Sequence, residues 1–246
     1  MLEPIALLQS LVRLPGPPGQ EDAVRAEVAD LVGGLSRSHS VDAKGNLIVT
    51  LGENSTPRVV VTAHMDEIAM IVQSVAPDGC LEIGPLGGIH PWKFGEGPVL
   101  IMGDDAPVDG VLSFGSIHTE APAATVVRAQ SSGLTWDMAY VFTGLEEDEL
   151  ASRGVRPGSR VVIHPSRRAL FPFGNFVAGY FLDDRSDLVA WLVALEALSG
   201  QSLDATFIAT AAEEVGGEGA LYAMRDLRPE VCIALELGPD VDDAPV

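Results

Sequence analysis

The chain is 246 residues long and carries a net charge of −20, which argues against nucleic acid or an anionic membrane as a partner. Its hydrophobic content of 47%, with 26 glycines and 17 prolines, describes a globular, turn-rich protein of one large domain or two ordinary ones. No apolar stretch reaches the roughly 18 residues that a transmembrane helix needs, and an N-terminus with Glu3 and no basic start is a poor secretory signal. Cys80 and Cys232 fit no CxxC pattern, so free buried thiols in a reducing cytoplasm are expected.

In chain order, Ile5, Leu8, Leu11 and Val12 recur at helical spacing, and PGPPGQ (residues 15–20) then breaks the chain. A second amphipathic helix is predicted over 21–35, with acidic residues in its first turn. Gly45-Asn46 reads as a hairpin turn between SVDAK and LIVTL. Residues 59–62 form an apolar strand, and 68–75 continue as strand. Over 78–166 short β runs (PVLIM, DGVLSF, TVVRAQ, MAYVF, RVVIH) alternate with Gly, Pro and Asp turns, the texture of a small β barrel. Helix 188–198, strand 205–210, helix 219–225 and strand 231–235 follow. The expected architecture is a discontinuous α/β domain, 1–76 and 167–246, interrupted by an all-β domain, 77–166. The sequence stops at 246 just after a strand, as if the α/β domain were cut short.

Four strand-like runs end in ligand-type side chains: VVVTAHMDE (59–67), VAGYFLDDR (177–185), TFIATAAEE (206–214) and VCIALE (231–236). Ligands bind at the carboxyl ends of strands in open α/β sheets. Several carboxylates on one rim repel one another unless a cation sits among them, and His with Asp and Glu suits divalent zinc, cobalt or manganese. The pattern points to metal-dependent hydrolysis. Each motif also has an ordinary reading. His64 can be a satisfied strand-end residue, Glu67 a solvated charge, and Asp183-Asp184 a helix cap. Glu213-Glu214 can form an acidic loop, and Glu236 can be structural.

AHMDEIAMIV (63–72), FLDDR (181–185), AAEEVGGEGA (212–220) and Glu236 resemble the M42 family of metallo-aminopeptidases, the TET-type enzymes. PGQEDAVR (18–25), Lys44-Gly45-Asn46-Leu47 and Gly87-Gly88 share that resemblance, which covers nearly the whole chain. It implies a mixed-sheet α/β/α zinc-peptidase-like domain with an inserted β domain that mediates dimerisation, the dimers assembling into a dodecamer. It implies two divalent metal ions, zinc or cobalt, that activate a bridging water for attack on a peptide. His64, Asp183, Glu214 and Glu236 are then the metal ligands, with Asp183 bridging and followed by a cis peptide. Glu213 is the general base, Asp66 fixes the His64 tautomer, and Asp184 orients the site. Glu236 departs from the family's usual Asp.

The family's further histidine ligand comes from a segment beyond residue 246. His39, His90, His118 and His164 offer no clear substitute, so either the sequence is incomplete, which is the favoured explanation, or the second metal is held weakly or not at all. The expected function is removal of N-terminal residues from peptides. The alternatives are another binuclear hydrolase, of deacylase or carboxypeptidase type, and an inactive peptide-binding or assembly subunit.

Overall fold

The computed structural model describes residues 2–52, 57–119, 121, 124–198, 200, 201 and 203–238. The terminal residues 239–246 thus lie outside the described residues. The described chain divides into two compact units, Met1–Glu67 with Ala169–Val246, and Ile68–Arg168. The sequence pattern alone puts these boundaries at 77 and 167. The strand that makes the difference, residues 69–75, pairs with barrel strands.

The first unit opens with helices α1 (Pro4–Arg13) and α2 (Asp22–Gly34), then strands β1 (Ser40–Val41), β2 (Leu47–Thr50) and β3 (Val59–His64). The second unit contains β4 (Ala69–Val75), β5 (Leu81–Leu86), the short helix α3 (Pro91–Phe94), β6 (Gly97–Met102) and β7 (Pro107–Ser113). It continues with α4 (Thr125–Ser132), β8 (Tyr140–Phe142), α5 (Glu147–Ala151) and β9 (Arg160–Ile163). The chain then returns to the first unit with β10 (Phe171–Phe173), β11 (Phe176–Ala178), α6 (Leu182–Ala197), β12 (Ala205–Thr210), α7 (Glu218–Leu227) and β13 (Val231–Ala234).

Strands of the second unit close into an antiparallel barrel in the order β4-β5-β8-β7-β6-β9. Closure removes the exposed edges that an open antiparallel sheet would carry. Val99, Ile101, Val108, Leu112 and Val141 alternate with more exposed positions and point into its core. One expected strand, TVVRAQ, is instead the helix α4. Val127 and Arg128 both donate to the carbonyl of Ala124, and Gly133 at φ +72° ends the helix. Three adjacent β-branched residues, Thr125, Val126 and Val127, do not outweigh the helix formers Arg128, Ala129 and Gln130 that follow.

In the first unit, β2, β12, β3 and β13 lie side by side in a mixed sheet of order β1-β2-β12-β3-β13. Strand β3 runs parallel to both β12 and β13, and β2 is antiparallel to β12. One face packs on α1, α2 and α6 through Leu11, Val28, Trp191, Leu192, Leu195 and Phe207. The other face packs Val60 and Ile208 against Ala223 of α7. Helices on both faces bury β12 along its whole length, which is why its sequence is a continuous apolar run. Among the described residues strand β13 is one edge of the sheet and is exposed throughout. Cys232 is therefore exposed rather than buried; both cysteines are free thiols, as expected. Among the described residues no helix is long and apolar enough to cross a membrane.

Candidate metal centre

The parallel register brings the acidic strand ends together. His64, the last residue of β3, is paired with Thr210, the last of β12, so the chain beyond each continues abreast of the other. Ala234 is paired with Thr62, and Leu235 donates to the Thr62 carbonyl at 2.8 Å. That register carries Glu236 to the level of His64. The third contribution arrives from α6, where Asp183 and Asp184 have non-helical backbone angles and share a cis peptide bond.

His64 Nε2 is the focus. It lies 3.1 Å from Asp183 Oδ1 and 3.9 Å from both Glu213 Oε2 and Glu236 Oε1. Ligand atoms of His64, Asp183 and Glu236 all fall within 4.8 Å of one another. The imidazole is only 2% exposed, whereas Asp183, Glu213 and Glu236 are 51%, 42% and 47% exposed. The centre is thus anchored on a buried ring and opens to solvent on its carboxylate side.

Asp66 sits behind the ring with a wholly buried side chain. Its Oδ1 is 3.3 Å from His64 Nδ1, a charge contact outside hydrogen-bond alignment. The same oxygen accepts the backbone N–H of Glu213 at 2.9 Å, and Oδ2 accepts that of Glu214 at 3.0 Å. Asp184 accepts the backbone N–H of His64 at 2.8 Å. Glu67, which in sequence is either an acidic motif residue or a solvated charge, is fully buried and 3.1 Å from the guanidinium of Arg185.

Electrostatics follow from crowding one imidazole among carboxylates. Burial, the largest influence on His64, favours the neutral ring, but Asp183, Asp66 and Asp184 outweigh it and raise its pKa to about 11. Burial pushes Glu214 up to about 7, aided by Asp183, Asp66 and Glu213 against the opposing pull of His64. Burial likewise raises Asp184 to about 9, with its neighbour Asp187 adding to the effect. Glu236 is raised by burial and Asp183, while Asp183 itself is held low by its hydrogen bond to His64. Carboxylates that retain protons among themselves are suited to a cation that would replace those protons, and one imidazole with carboxylate oxygens is a donor set that divalent metals accept. The donor set therefore fits a divalent metal.

Of the residues expected from sequence, His64, Asp183 and Glu236 converge as one trio, with the Glu213 carboxylate beside them. Asp66 and Asp184 hold that group from behind. Glu214 is outside the trio and shares its field. Sequence reasoning quotes Glu21 and Asn46 within segments that share the resemblance but gives them no role; both are buried and accept backbone N–H groups of the segment leading to Glu213. They look like a helix-start acid and a hairpin turn, and their partners lie far away in the chain.

A strand-end centre of histidine and carboxylates on a mixed α/β sheet defines the class, and the comparisons give the family. The M42 glutamyl aminopeptidase family model matches residues 45–245, and the chain belongs to that family. It is 29% identical over 233 residues to the lysyl aminopeptidase of Pyrococcus furiosus, which aligns with 94% of this chain and 65% of the relative. The glutamyl aminopeptidase of Lactococcus lactis is 26% identical, covering 96% of this chain and 66% of that protein. Among solved structures, the TET1 peptidase of Pyrococcus horikoshii superposes with a TM-score of 0.82 at 27% identity, covering 98% of this chain and 72% of its own. An aminopeptidase of Desulfurococcus kamchatkensis gives 0.81 at 27% identity, covering 98% and 65%. The chain thus spans about 65% of the length of these curated relatives.

Proposed function

We propose that this protein is a metal-dependent aminopeptidase that releases N-terminal residues from peptides, with Glu213 as general base. The observation that carries the reading is the convergence of Asp183, Glu213 and Glu236 on the buried Nε2 of His64, in a chain of the M42 glutamyl aminopeptidase family. His64, Asp183 and Glu236 would hold one divalent cation, with zinc or cobalt the proposed metal, and Glu214 would serve a second. Such ions lower the pKa of water and polarise a substrate carbonyl.

The protein's own groups do the rest. Glu213 takes the proton of the attacking water and returns it to the departing amine, a task that needs a carboxylate near the ions yet free of them. Asp66 fixes the imidazole ring and carries the backbone of both glutamates. Asp184 holds the His64 main chain.

Relatives of the TET1 type, whose P. horikoshii representative can assemble into a tetrahedron or an octahedral shell, support self-association through the barrel. Light scattering of the purified chain tests this, and a monomer at all concentrations would refute it. The activity is tested by comparing aminoacyl-anilides with N-acyl amino acids in the presence of Zn²⁺ or Co²⁺. Cleavage of the anilides alone is expected. Cleavage of the acyl amino acids would indicate a deacylase. Cation binding with no hydrolysis would indicate a binding or assembly subunit.

A further inference from the structure

Residues 211–214, which carry both glutamates, are gripped one peptide at a time. Asn46 Oδ1 accepts the N–H of Ala211 at 2.9 Å, and Glu21 Oε1 accepts that of Ala212 at 3.1 Å. Asp66 takes the next two. The carbonyl side is held as well. Ala211 accepts from Gly219, Ala212 from Glu218, and Glu213 from both Gly216 and Gly217. Four successive N–H groups therefore rest on three side chains drawn from three distant stretches of sequence.

An ordinary strand-to-helix loop satisfies its donors with water or with its own turn residues. Here a glutamate only 2% exposed and an asparagine with no exposure are withdrawn from water for the purpose, at a desolvation cost that a solvated turn would avoid. Each is itself anchored. Glu21 Oε1 also accepts from Gly19, and Asn46 Nδ2 donates to Asp42 and to the Gly219 carbonyl. The grip coincides with Ala212 at φ +53°, a left-handed conformation that a non-glycine residue holds only when its surroundings enforce it.

We propose that Glu21 and Asn46 are positioning residues that, together with Asp66, aim the Glu213 and Glu214 side chains at the centre. The proposal rests on the reading of Glu213 as base. A base must come within about 2.6–3.2 Å of the proton it removes. A misplacement of about 1 Å costs on the order of a hundredfold in rate. Turning the 211–212 peptide, which sets the direction in which the chain enters Glu213, is the most direct way to cause one, and the Glu21 carboxylate, which accepts that peptide's N–H, opposes that turn.

The test compares Glu21→Ala, Glu21→Gln and Asn46→Ala in the full chain. Glu21→Gln keeps an oxygen that accepts from Ala212, whereas Glu21→Ala does not. Glu21→Ala is expected to lower kcat on an aminoacyl-anilide by about 10–100-fold with KM nearly unchanged, and to weaken Co²⁺ binding about tenfold. Glu21→Gln should recover most of both losses, and Asn46→Ala should resemble Glu21→Ala. Hydrogen–deuterium exchange of a peptide spanning 211–214 should speed up in both alanine variants and not in the glutamine variant.

Unchanged Co²⁺ affinity and unchanged exchange in a folded Glu21→Ala protein overturn the proposal. So does a glutamine variant as impaired as the alanine one, since charge rather than the accepting oxygen would then matter. If the wild type binds Co²⁺ but hydrolyses nothing, the reading of function fails, and affinity with exchange still decides the positioning role. Should Glu21→Ala not fold, the contrast between Glu21→Gln and Asn46→Ala settles the same question: both losses in the asparagine variant alone uphold the proposal, and their absence there overturns it.

Discussion

Asp184 accepts the backbone N–H of His64 at 2.8 Å. Its chain neighbour Asp183 approaches the ring of that histidine at 3.1 Å, so two consecutive carboxylates take hold of one residue at its main chain and at its reactive nitrogen. Two aspartates where a helix cap needs only one are thereby accounted for.

The division of labour between ligand and base predicts two different failures. Glu213→Gln should retain cation binding while kcat falls by at least about a hundredfold, the usual scale of general-base catalysis. Asp183→Asn should lose both, because it removes charge from the focus of the centre. Metal content by mass spectrometry alongside anilide turnover separates the cases. Near-normal turnover in the Gln variant would remove Glu213 from the role of base.

Cation loading should depend steeply on pH. His64 is raised to about 11 and Glu214 to about 7 by their surroundings, so at neutral pH the centre carries protons that ligands must give up. The loaded state binds fewer protons than the free one, so affinity must rise with pH and fall on acidification. About a tenfold gain in Co²⁺ affinity per pH unit is expected for each proton displaced. Competition with a chelating dye across neutral pH measures it, and a flat profile would contradict the assignment of these groups as ligands.

The buried pair of Arg185 and Glu67 has both side chains at 0% exposure. Removing one partner leaves a charge in the interior, so Arg185→Met should destabilise the fold by about 3–5 kcal/mol. Adding Glu67→Gln should restore part of that loss. Urea unfolding of the single and double variants decides, and a single variant as stable as wild type would show that the pair is solvated in solution.

Gly219 faces a stricter limit. A Cβ there would lie 2.2 Å from the Ala211 carbonyl oxygen and 2.4 Å from Asn46 Oδ1. Gly219→Ala should therefore cost about 1–3 kcal/mol by overpacking and weaken Co²⁺ binding by loosening the glutamate segment. Thermal unfolding and cation titration on one preparation check both effects.

Much of this is legible in the sequence wherever a short-range signal decides it. The apolar run at 205–210 reads as a buried strand and is one, and the acids that follow β3, β12 and β13 lie on one rim of the sheet, whereas Asp183 and Asp184, read from sequence as a strand end, come from α6. What is not legible depends on partners far along the chain. Nothing near Glu21 tells that it will bond Ala212, 191 residues later. Glu67 reads as a motif acid or a surface charge until Arg185 is folded against it. Helix α4 escapes because Val126 and Val127 carry a strand propensity that the following residues override.

The register of the parallel strands has one more consequence. His64 is abreast of Thr210, and Ala234 abreast of Thr62, so the spacing between reactive groups is copied from the ladder beneath them. A slip by one position would turn each strand's side chains to the opposite face. Aliphatic residues such as Val60 and Ile208, which pack against Ala223, thereby act as the ruler against which the chemistry is measured.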